Sequence, residues 1–312
     1  MHLPVTEGAW LRPSPNVPAE PRWGHPEGLQ VGLHPLGGPR GLLRIYAPYL
    51  DHPRDRLINF IAVEPIPEGS TKRGLSELEH STLDDVPGKR FWSADDPSGA
   101  TPQAADHPAQ GVIETIDGVE RLRVYVLVEP FDNGADVYLR LSFRADRPHE
   151  VSVATYQRDE SASVASCIVS ATMGNFARLR QLHLSDGVVT PAELWPDFSG
   201  DHFAPHAQFP LSRLTRTDTG AALVRATPDE TDPWHADYAD DTHEHWKYVG
   251  LRATQTWQVE DPDSELVASV NARHAYWAST SPIPGGASYE NFELVEPFLQ
   301  GREFTFAVDP LD

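Results

Sequence analysis

Two glutamates separated by a single residue form the most suggestive chemical pattern in the sequence. Glu77 and Glu79 lie in the segment 73–80, which begins with Arg73 and ends with His80. If this segment is a β-strand, both carboxylates share a face with Arg73 and stand roughly 6–7 Å apart, because a strand rises ~3.3 Å per residue. Glycosidic bond cleavage needs two carboxyl groups about 5–5.5 Å apart for retention of configuration, or about 6.5–9.5 Å for inversion. The pair is therefore a candidate catalytic site, with hydrogen bonding to a substrate or a solvated strand face as the alternatives.

Histidine and carboxylate residues crowd into two later segments and could bind a divalent metal. Imidazole is a common zinc ligand, whereas aspartate oxygens suit calcium. The candidate ligands are His202, His206, Asp241, His243 and His245, with Asp201 beside His202. Their spacing matches neither the H-E-x-x-H zinc motif nor the D-x-D-x-D-G calcium loop, so an acidic surface loop is the alternative. His243 or His245 could also serve as a general base.

Strands must position such groups, and residues 121–144 have the clearest strand pattern. Apolar side chains alternate with polar ones on either side of a D-N-G turn, which is typical of a β-hairpin. Only a register that pairs Tyr125 with Arg140 and Arg123 with Ser142 puts both apolar sets on one side, because a slip of one residue turns a strand over. The opposite face then carries arginines and tyrosines: Arg121, Arg123, Tyr125, Tyr138, Arg140 and Arg144. This face is either a solvated surface with paired arginines or a surface that holds sugar hydroxyls and carboxylates.

Aromatic and polar residues also recur in the later strands. Such a mixture is typical of saccharide sites, because a flat ring packs on the sugar while polar groups bind its hydroxyls. The further candidates for substrate binding are Trp257, Arg273, His274 and Trp277. Burial in the core is the alternative for the two tryptophans.

Two short motifs resemble those of carbohydrate-active jelly rolls. Arg73 followed by Ser76-Glu77-Leu78 is similar to the Arg-Ser-Glu-Leu strand of jelly-roll alginate lyases, with two extra residues after the arginine. Residues 287–294, Ala-Ser-Tyr-Glu-Asn-Phe-Glu-Leu, resemble the last strand of concanavalin A-like jelly rolls. The resemblance implies two curved antiparallel sheets with a glycan groove on the concave face. The sequence departs from these families, since it lacks the Gln-Ile-His strand of the lyases and the Glu-x-Asp-x-x-Glu strand of the laminarinase-like hydrolases.

Strand and turn signals along the whole chain predict an all-β fold. Val-Glu-Pro ends three strand-like runs, at residues 63–65, 128–130 and 295–297, where proline stops the ladder and a later glycine turns the chain. The 29 prolines and 22 glycines fit loops and edge strands rather than helices. We expect an antiparallel β-sandwich, jelly-roll-like with long decorated loops, as one domain at 29–312 after an extended proline-rich arm at 1–28.

Charge and composition exclude several partners. The net charge of −21 argues against nucleic acid and anionic membrane surfaces. No run approaches the ~20 apolar residues of a membrane span. The N-terminal residues lack the basic and apolar segments of a secretion signal, so we expect a cytoplasmic protein or the mature chain of a secreted one. Cys167 is the only cysteine, which excludes an internal disulfide, and the oligomeric state stays open.

These patterns favour a carbohydrate-active enzyme that cleaves glycosidic bonds of a poly- or oligosaccharide in a sandwich groove. A hydrolase that uses Glu77 and Glu79 is preferred over a β-eliminating lyase. In the lyase, a uronate carboxylate would be neutralised by one of three arginines: Arg73, Arg123 or Arg140. A His or Tyr would then remove the C5 proton, although a regular strand points His80 away from Arg73. The competing class is a non-catalytic glycan-binding or structural sandwich, which predicts scattered carboxylates, an aromatic platform and no acid with a perturbed pKa. The two classes are distinguished by whether Glu77 and Glu79 share one cleft with the hairpin face.

Overall fold

Strands dominate the computed structural model of the protein, which describes residues 1–15, 17–52, 57–98, 107–172, 174–200 and 202–311. It is 44% strand and 5% helix, and the strands form two large antiparallel sheets. The expected all-β antiparallel sandwich is therefore confirmed. No helix in the described residues is long and apolar enough to cross a membrane.

The regular elements of the described residues are short strands with a few helical turns. The strands are β1 Val5–Glu7, β2 Trp10–Arg12, β3 Arg22–Gly24, β4 Gln30–Gly32, β5 Leu43–Tyr46, β6 Leu57–Pro67, β7 Phe91–Ala94, β8 Val112–Ile116, β9 Val119–Val128, β10 Val137–Arg144, β11 Glu150–Gln157, β12 Val164–Thr172, β13 Leu179–Leu184, β14 Gly187–Val189, β15 Ala207–Pro210, β16 Thr215–Arg216, β17 Ala222–Pro228, β18 Ala253–Val259, β19 Val267–Arg273, β20 Ser288–Val295 and β21 Glu303–Pro310. The helix α1 is Pro191–Leu194, and 3₁₀ turns span Pro48–Leu50, Leu211–Arg213, Pro233–His235 and Glu244–Trp246.

Strands that follow one another in sequence are often neighbours in a sheet. One sheet has the order β1-β2-β3-β4-β5-β6-β12-β20-β19-β15 among the described residues. The other runs β14-β13-β17-β18-β21-β11-β10-β9-β7, with β16 beside β17 and β8 beside β9. Short antiparallel connections of this kind suit a chain rich in glycine and proline turns.

The chain divides into two compact units, where the sequence predicted one domain after residue 28. The first unit is Met1–Tyr46, Ile61–Val169 and Pro297–Thr305, and the second is Ala47–Phe60, Ser170–Glu296 and Phe306–Asp312. The predicted N-terminal arm supplies three strands, β1 to β3, to the first unit. Trp10 and Trp23 of this segment are fully buried, and the Trp23 indole donates to the carbonyl of Ala109 at 3.0 Å. The segment is therefore part of a packed core.

The second unit has its own aromatic core, and Trp257 lies within it. The Trp257 side chain is 0% exposed, its indole N–H donates to the carbonyl of Phe292 at 2.8 Å, and its ring lies 4.9 Å from that of Phe306. A fully buried ring cannot stack on a sugar. The prediction that Trp257 binds substrate is therefore wrong, and the alternative of a core tryptophan is correct.

Candidate functional site

The hairpin β9–β10 in the first unit presents the arginines and tyrosines on one face. Tyr125 pairs with Arg140 and Arg123 pairs with Ser142, which is the register predicted from the alternation. The apolar side chains of the opposite face are fully buried: Leu122, Val124, Val126, Leu139, Leu141 and Phe143. Their burial holds the register, because a slip of one residue would bury the polar set instead. We call the polar side the Arg/Tyr face: Arg121, Arg123, Tyr125, Tyr138, Arg140, Ser142 and Arg144.

A row of four side chains, three of them aromatic, crosses this face on four strands, and we call Trp92, Tyr138 and Tyr156 the aromatic row. β7 and β11 flank the hairpin, so that Trp92 lies opposite Leu127, which lies opposite Tyr138, which lies opposite Tyr156. The rings of Tyr138 and Tyr156 are stacked, with centres 5.0 Å apart and planes at 9°. Each ring is partly exposed, so the row offers a flat apolar surface to solvent.

Sequence reasoning missed Trp92 and Tyr156 as members of this surface. The signal for Tyr156 was present in the predicted strand at 150–157, since Tyr156 follows the buried Val151 and Val153. Trp92 carries a weaker signal because β7 is only four residues long and enters the sheet beside β9 through a non-local pairing. The alternation of polar and apolar residues does not predict which distant segments pair in a sheet.

The arginines of the face are paired with carboxylates and rings. Arg140 donates to Glu303 at 2.7 Å, Arg123 lies 3.3 Å from Glu114, and Arg144 lies 2.8 Å from Asp146. The Arg140 guanidinium also lies 5.5 Å from the centre of the Tyr156 ring, and that of Arg158 lies 5.4 Å from the Tyr138 ring. The face is therefore a surface of aromatic rings with ion-paired arginines among them.

A groove of about 610 Å³ opens at one end of the aromatic row. Its aromatic, amide and charged lining includes Trp92, Asp136, Tyr138, Gln157, Arg158 and Gln300. This volume lies within the range of roughly 300–1,000 Å³ that is typical of small-molecule sites. We refer to it below as the groove.

Hydrogen bonds between glutamine side chains and the backbone fix the amide-bearing wall of the groove. The Gln300 side-chain oxygen accepts from the backbone N–H of Gln157 at 2.9 Å, and its nitrogen donates to the Gln157 carbonyl at 3.2 Å. The Gln157 side-chain oxygen accepts from the backbone of Val164 at 2.9 Å. These bonds link β11 to the turn before β21 and hold the wall without a ligand.

One carboxyl group of the groove has an altered acidity. Partial burial raises the pKa of Asp136, while Arg158, 3.1 Å away, opposes this rise and the negative charge of Glu160 adds to it. Glu160 and Asp159 also line the groove. A carboxyl group that holds its proton more tightly beside an ionised one is the pairing that acid–base chemistry uses.

The segment 73–80 is not a β-strand, so the predicted geometry of Glu77 and Glu79 is wrong. Leu78 and Glu79 donate backbone hydrogen bonds to the carbonyl of Leu75, at 3.1 and 2.9 Å, and so form a tight turn. The two glutamates therefore do not alternate on one strand face. The described lining of the groove contains neither of them. Gly74 and the turn-forming sequence around Ser76 allow this conformation. The E-x-E spacing alone does not distinguish it from a strand.

The loop uses its charged groups to hold the end of the hairpin. The Glu79 carboxylate accepts from the backbone N–H of Asp132 at 2.8 Å and lies 3.2 Å from the ammonium of Lys89. Lys89 is fully buried and also donates to Asp132 at 2.9 Å and to the carbonyl of His80 at 3.0 Å. Glu79 is therefore a structural acceptor.

The remaining predicted catalytic residues belong to the same loop, but each has its own environment. Arg73 lies 2.7 Å from the buried carboxylate of Glu64, and the exposed ring of His80 lies 3.2 Å from Asp85. Burial raises the pKa of Glu77, which the positive charge of Arg73 opposes. One oxygen of Glu77 is buried without a hydrogen-bond partner among the described residues.

The other predicted sugar-binding residues belong to the second unit. Arg273 is buried, with its guanidinium 5.0 Å from the centre of the Phe203 ring. His274 hydrogen-bonds the carbonyl of Phe198 at 2.8 Å and stacks on that ring with centres 5.0 Å apart. Trp277 is partly exposed in a turn after β19. Arg273 and His274 are therefore engaged with a loop of their own unit.

The predicted metal ligands are spread over separate surroundings in the second unit. Each has a different neighbour: Phe198 for His202, Asn271 for His206, Ser281 for Asp241, and each other's rings for His243 and His245. Among the described residues no three His, Cys, Asp or Glu side chains gather in a way that could hold a metal ion. Asp201 lies outside the described residues.

Comparisons with known proteins provide no family for this chain. No family model and no curated protein matches it. Among solved structures, the crystal structure of HI1317 is similar over 91% of this chain and 96% of that chain, at 10% identity and a TM-score of 0.29. A likeness at this level supports no conclusion about fold or function, and the resemblance to concanavalin A-like jelly rolls stays a prediction.

Proposed function

We propose that the protein binds a saccharide in the groove beside the Arg/Tyr face. The observation that supports this proposal most strongly is the set of partly exposed rings at the groove: Trp92 and Tyr138 line it, and Tyr156 stacks on Tyr138 beside it. A sugar ring has an apolar face that packs on a flat aromatic ring, and its hydroxyls need hydrogen-bonding groups around the rim. Gln157, Arg158 and Asp136 provide donors and acceptors at that position.

The structure of the loop 73–80 favours binding of the saccharide without cleavage. The carboxylates expected to cleave the glycosidic bond lie outside the groove lining, and Glu79 is engaged with Asp132 and Lys89. A glycan-binding protein needs the aromatic surface and the polar rim alone. The competing class identified from the sequence thus becomes the main proposal.

Hydrolysis of the bound glycan is a second candidate, and Asp136 is the observation that favours it. Its raised pKa and its place in the groove suit a general acid, with Glu160 or Asp159 as the partner carboxylate. Asp136→Asn is then expected to lower turnover by about 10²–10⁴-fold, the usual contribution of acid–base catalysis, while binding persists.

A panel of neutral and uronate polysaccharides tests both candidates. Affinity electrophoresis of the intact protein measures binding, new reducing ends measure cleavage, and ultraviolet absorbance of unsaturated uronates identifies a lyase. Binding without new reducing ends supports the main proposal. Reducing ends that disappear in Asp136→Asn support hydrolysis, and the absence of binding to every glycan contradicts both.

A further inference from the structure

A second cavity of the first unit has a volume of about 230 Å³, and several of its lining side chains are cationic or bear a ring nitrogen. These are His34, Arg40, Lys89, Arg90, Trp92 and His107, beside one carboxylate, that of Asp84. Asp84 pairs with Arg40, and Lys89 pairs with Glu79 and Asp132. The cation of the cavity that can attract an anion is therefore chiefly Arg90.

Two nitrogen donors at this cavity are buried without a partner among the described residues. They are the indole nitrogen of Trp92 and one terminal nitrogen of Arg40. The other terminal nitrogen of Arg40 donates to both oxygens of Asp84, at 2.9 and 3.1 Å. A buried donor without an acceptor destabilises the fold, so native proteins retain one chiefly where something other than the chain satisfies it.

The cations of the cavity are not equally available. Lys89 uses its ammonium on Glu79, Asp132 and the His80 carbonyl, and so contributes charge rather than a free donor. Arg90 is partly exposed, and none of the described residues forms an ion pair with its guanidinium. Its planar fork of N–H groups suits an oxyanion, which it can bind through two parallel hydrogen bonds.

The wall that carries Arg40 is held rigidly by the first unit itself. The fully buried Arg44 donates to the carbonyls of Gly37 at 2.8 Å and Pro39 at 2.6 Å. Gly41 has φ +71°, and a side chain there would collide with the backbone of Ser76, whose hydroxyl donates to the Gly41 carbonyl at 2.6 Å. The site is therefore organised before any ligand arrives, which lowers the entropic cost of binding.

We propose that this cavity binds a small oxyanion, with Arg90, Arg40 and the Trp92 indole as its hydrogen-bond donors. Its volume lies below the usual range for drug-sized ligands, so the ligand is a free phosphate or a carboxylate on a single sugar unit. The proposal concerns a different cavity from the groove and does not require that the groove bind a glycan. Trp92 lines both, so an acidic saccharide is one source of the anion.

Isothermal titration of the intact protein with inorganic phosphate and with glucuronate tests the site. We expect saturable binding of at least one anion, weakened at least tenfold by Arg90→Gln and at higher salt, since the attraction is electrostatic. Phosphate binding assigns the site to free phosphate or phosphoesters, and binding of glucuronate alone assigns it to carboxylated sugars.

Two control variants separate this site from the groove and from general charge effects. Arg147→Gln removes an exposed arginine that pairs with Glu150 at 3.2 Å and should leave anion binding unchanged. Tyr138→Ala alters the groove and should also leave phosphate binding unchanged. No saturable binding of either anion, or binding that Arg90→Gln does not weaken in a protein that melts normally, overturns the proposal.

Discussion

The Arg/Tyr face and the loop 73–80 belong to the same unit and carry similar charged residues, but they use them differently. On the face, the arginines and tyrosines lie on regular strands and stay partly exposed, with rings stacked at 5.0 Å. In the loop, the backbone turns on itself, and the side chains bind the chain's own N–H groups and Lys89. Loops carry unpaired backbone groups that nearby carboxylates satisfy, whereas strands satisfy theirs through the ladder. The rings on these strands are therefore free to meet a ligand, whereas Glu79 in the loop is not.

The largest effect that separates the two regions is expected from Lys89→Met. This change leaves Glu79 without its buried cation, and removing one partner of a buried ion pair costs about 3–5 kcal/mol. Because Asp132 is 53% exposed and can be solvated, we expect a loss of about 3 kcal/mol in the free energy of unfolding. Urea denaturation measures it, and Lys72→Met, at an exposed lysine, should change it by no more than about 0.5 kcal/mol. A loss of unfolding free energy in Lys89→Met no larger than that in Lys72→Met would show that the Lys89 network of the loop does not stabilise the fold.

Glu77→Gln is expected to have a smaller, pH-dependent effect in the opposite direction. Burial raises the pKa of Glu77, so folding favours the protonated carboxyl, and its contribution to stability is lost as the pH rises through the raised value. Glutamine resembles the protonated form at every pH. The variant should therefore be more stable than the natural protein at about pH 8, by about 1.4 kcal/mol per unit of pKa shift, and no more stable below about pH 4. Denaturation curves at both pH values check this, and a gain that is independent of pH contradicts it.

The smallest effect is expected on the face, from Arg144→Ala. Arg144 and Asp146 form a partly exposed pair at 2.8 Å, and such surface pairs contribute about 0–1 kcal/mol. We expect a loss below about 0.5 kcal/mol that shrinks further in high salt. Thermal and urea unfolding measure it, and a loss near that of Lys89→Met would remove the difference between the two regions.

The sequence predicted the all-β class and the hairpin register, because a period of two in apolar residues determines both. It predicted six side chains of the face for the same reason: Arg121, Arg123, Tyr125, Tyr138, Arg140 and Arg144. It failed where conformation depends on distant contacts. The two-residue spacing of Glu77 and Glu79 in the loop 73–80 fits a strand, but the loop forms a turn that is held by Asp132 and Lys89. Trp257 could be a sugar-binding or a core residue by type, and contacts with Phe292 and Phe306, distant in sequence, decide that it is buried.

The groove could not be predicted from the sequence, for a related reason. It forms where the consecutive strands β10 and β11 meet β7 and the turn at Gln300, and these last two segments are far from the first two in sequence. Apolar alternation places a side chain on a face but does not say which strands are neighbours. Trp92 and Arg158 therefore became visible as site residues only when the strands were assembled.

A titration of Tyr138 variants with a glycan that the natural protein binds tests the central claim most directly. Isothermal titration should show affinity at least about tenfold weaker for Tyr138→Ala, because the stacking surface is lost, while Tyr138→Phe, which keeps the ring, binds nearly as the natural protein does. Arg144→Ala lies on the same face but outside the groove lining and should bind normally. Unchanged affinity in a correctly folded Tyr138→Ala would contradict saccharide binding at the groove.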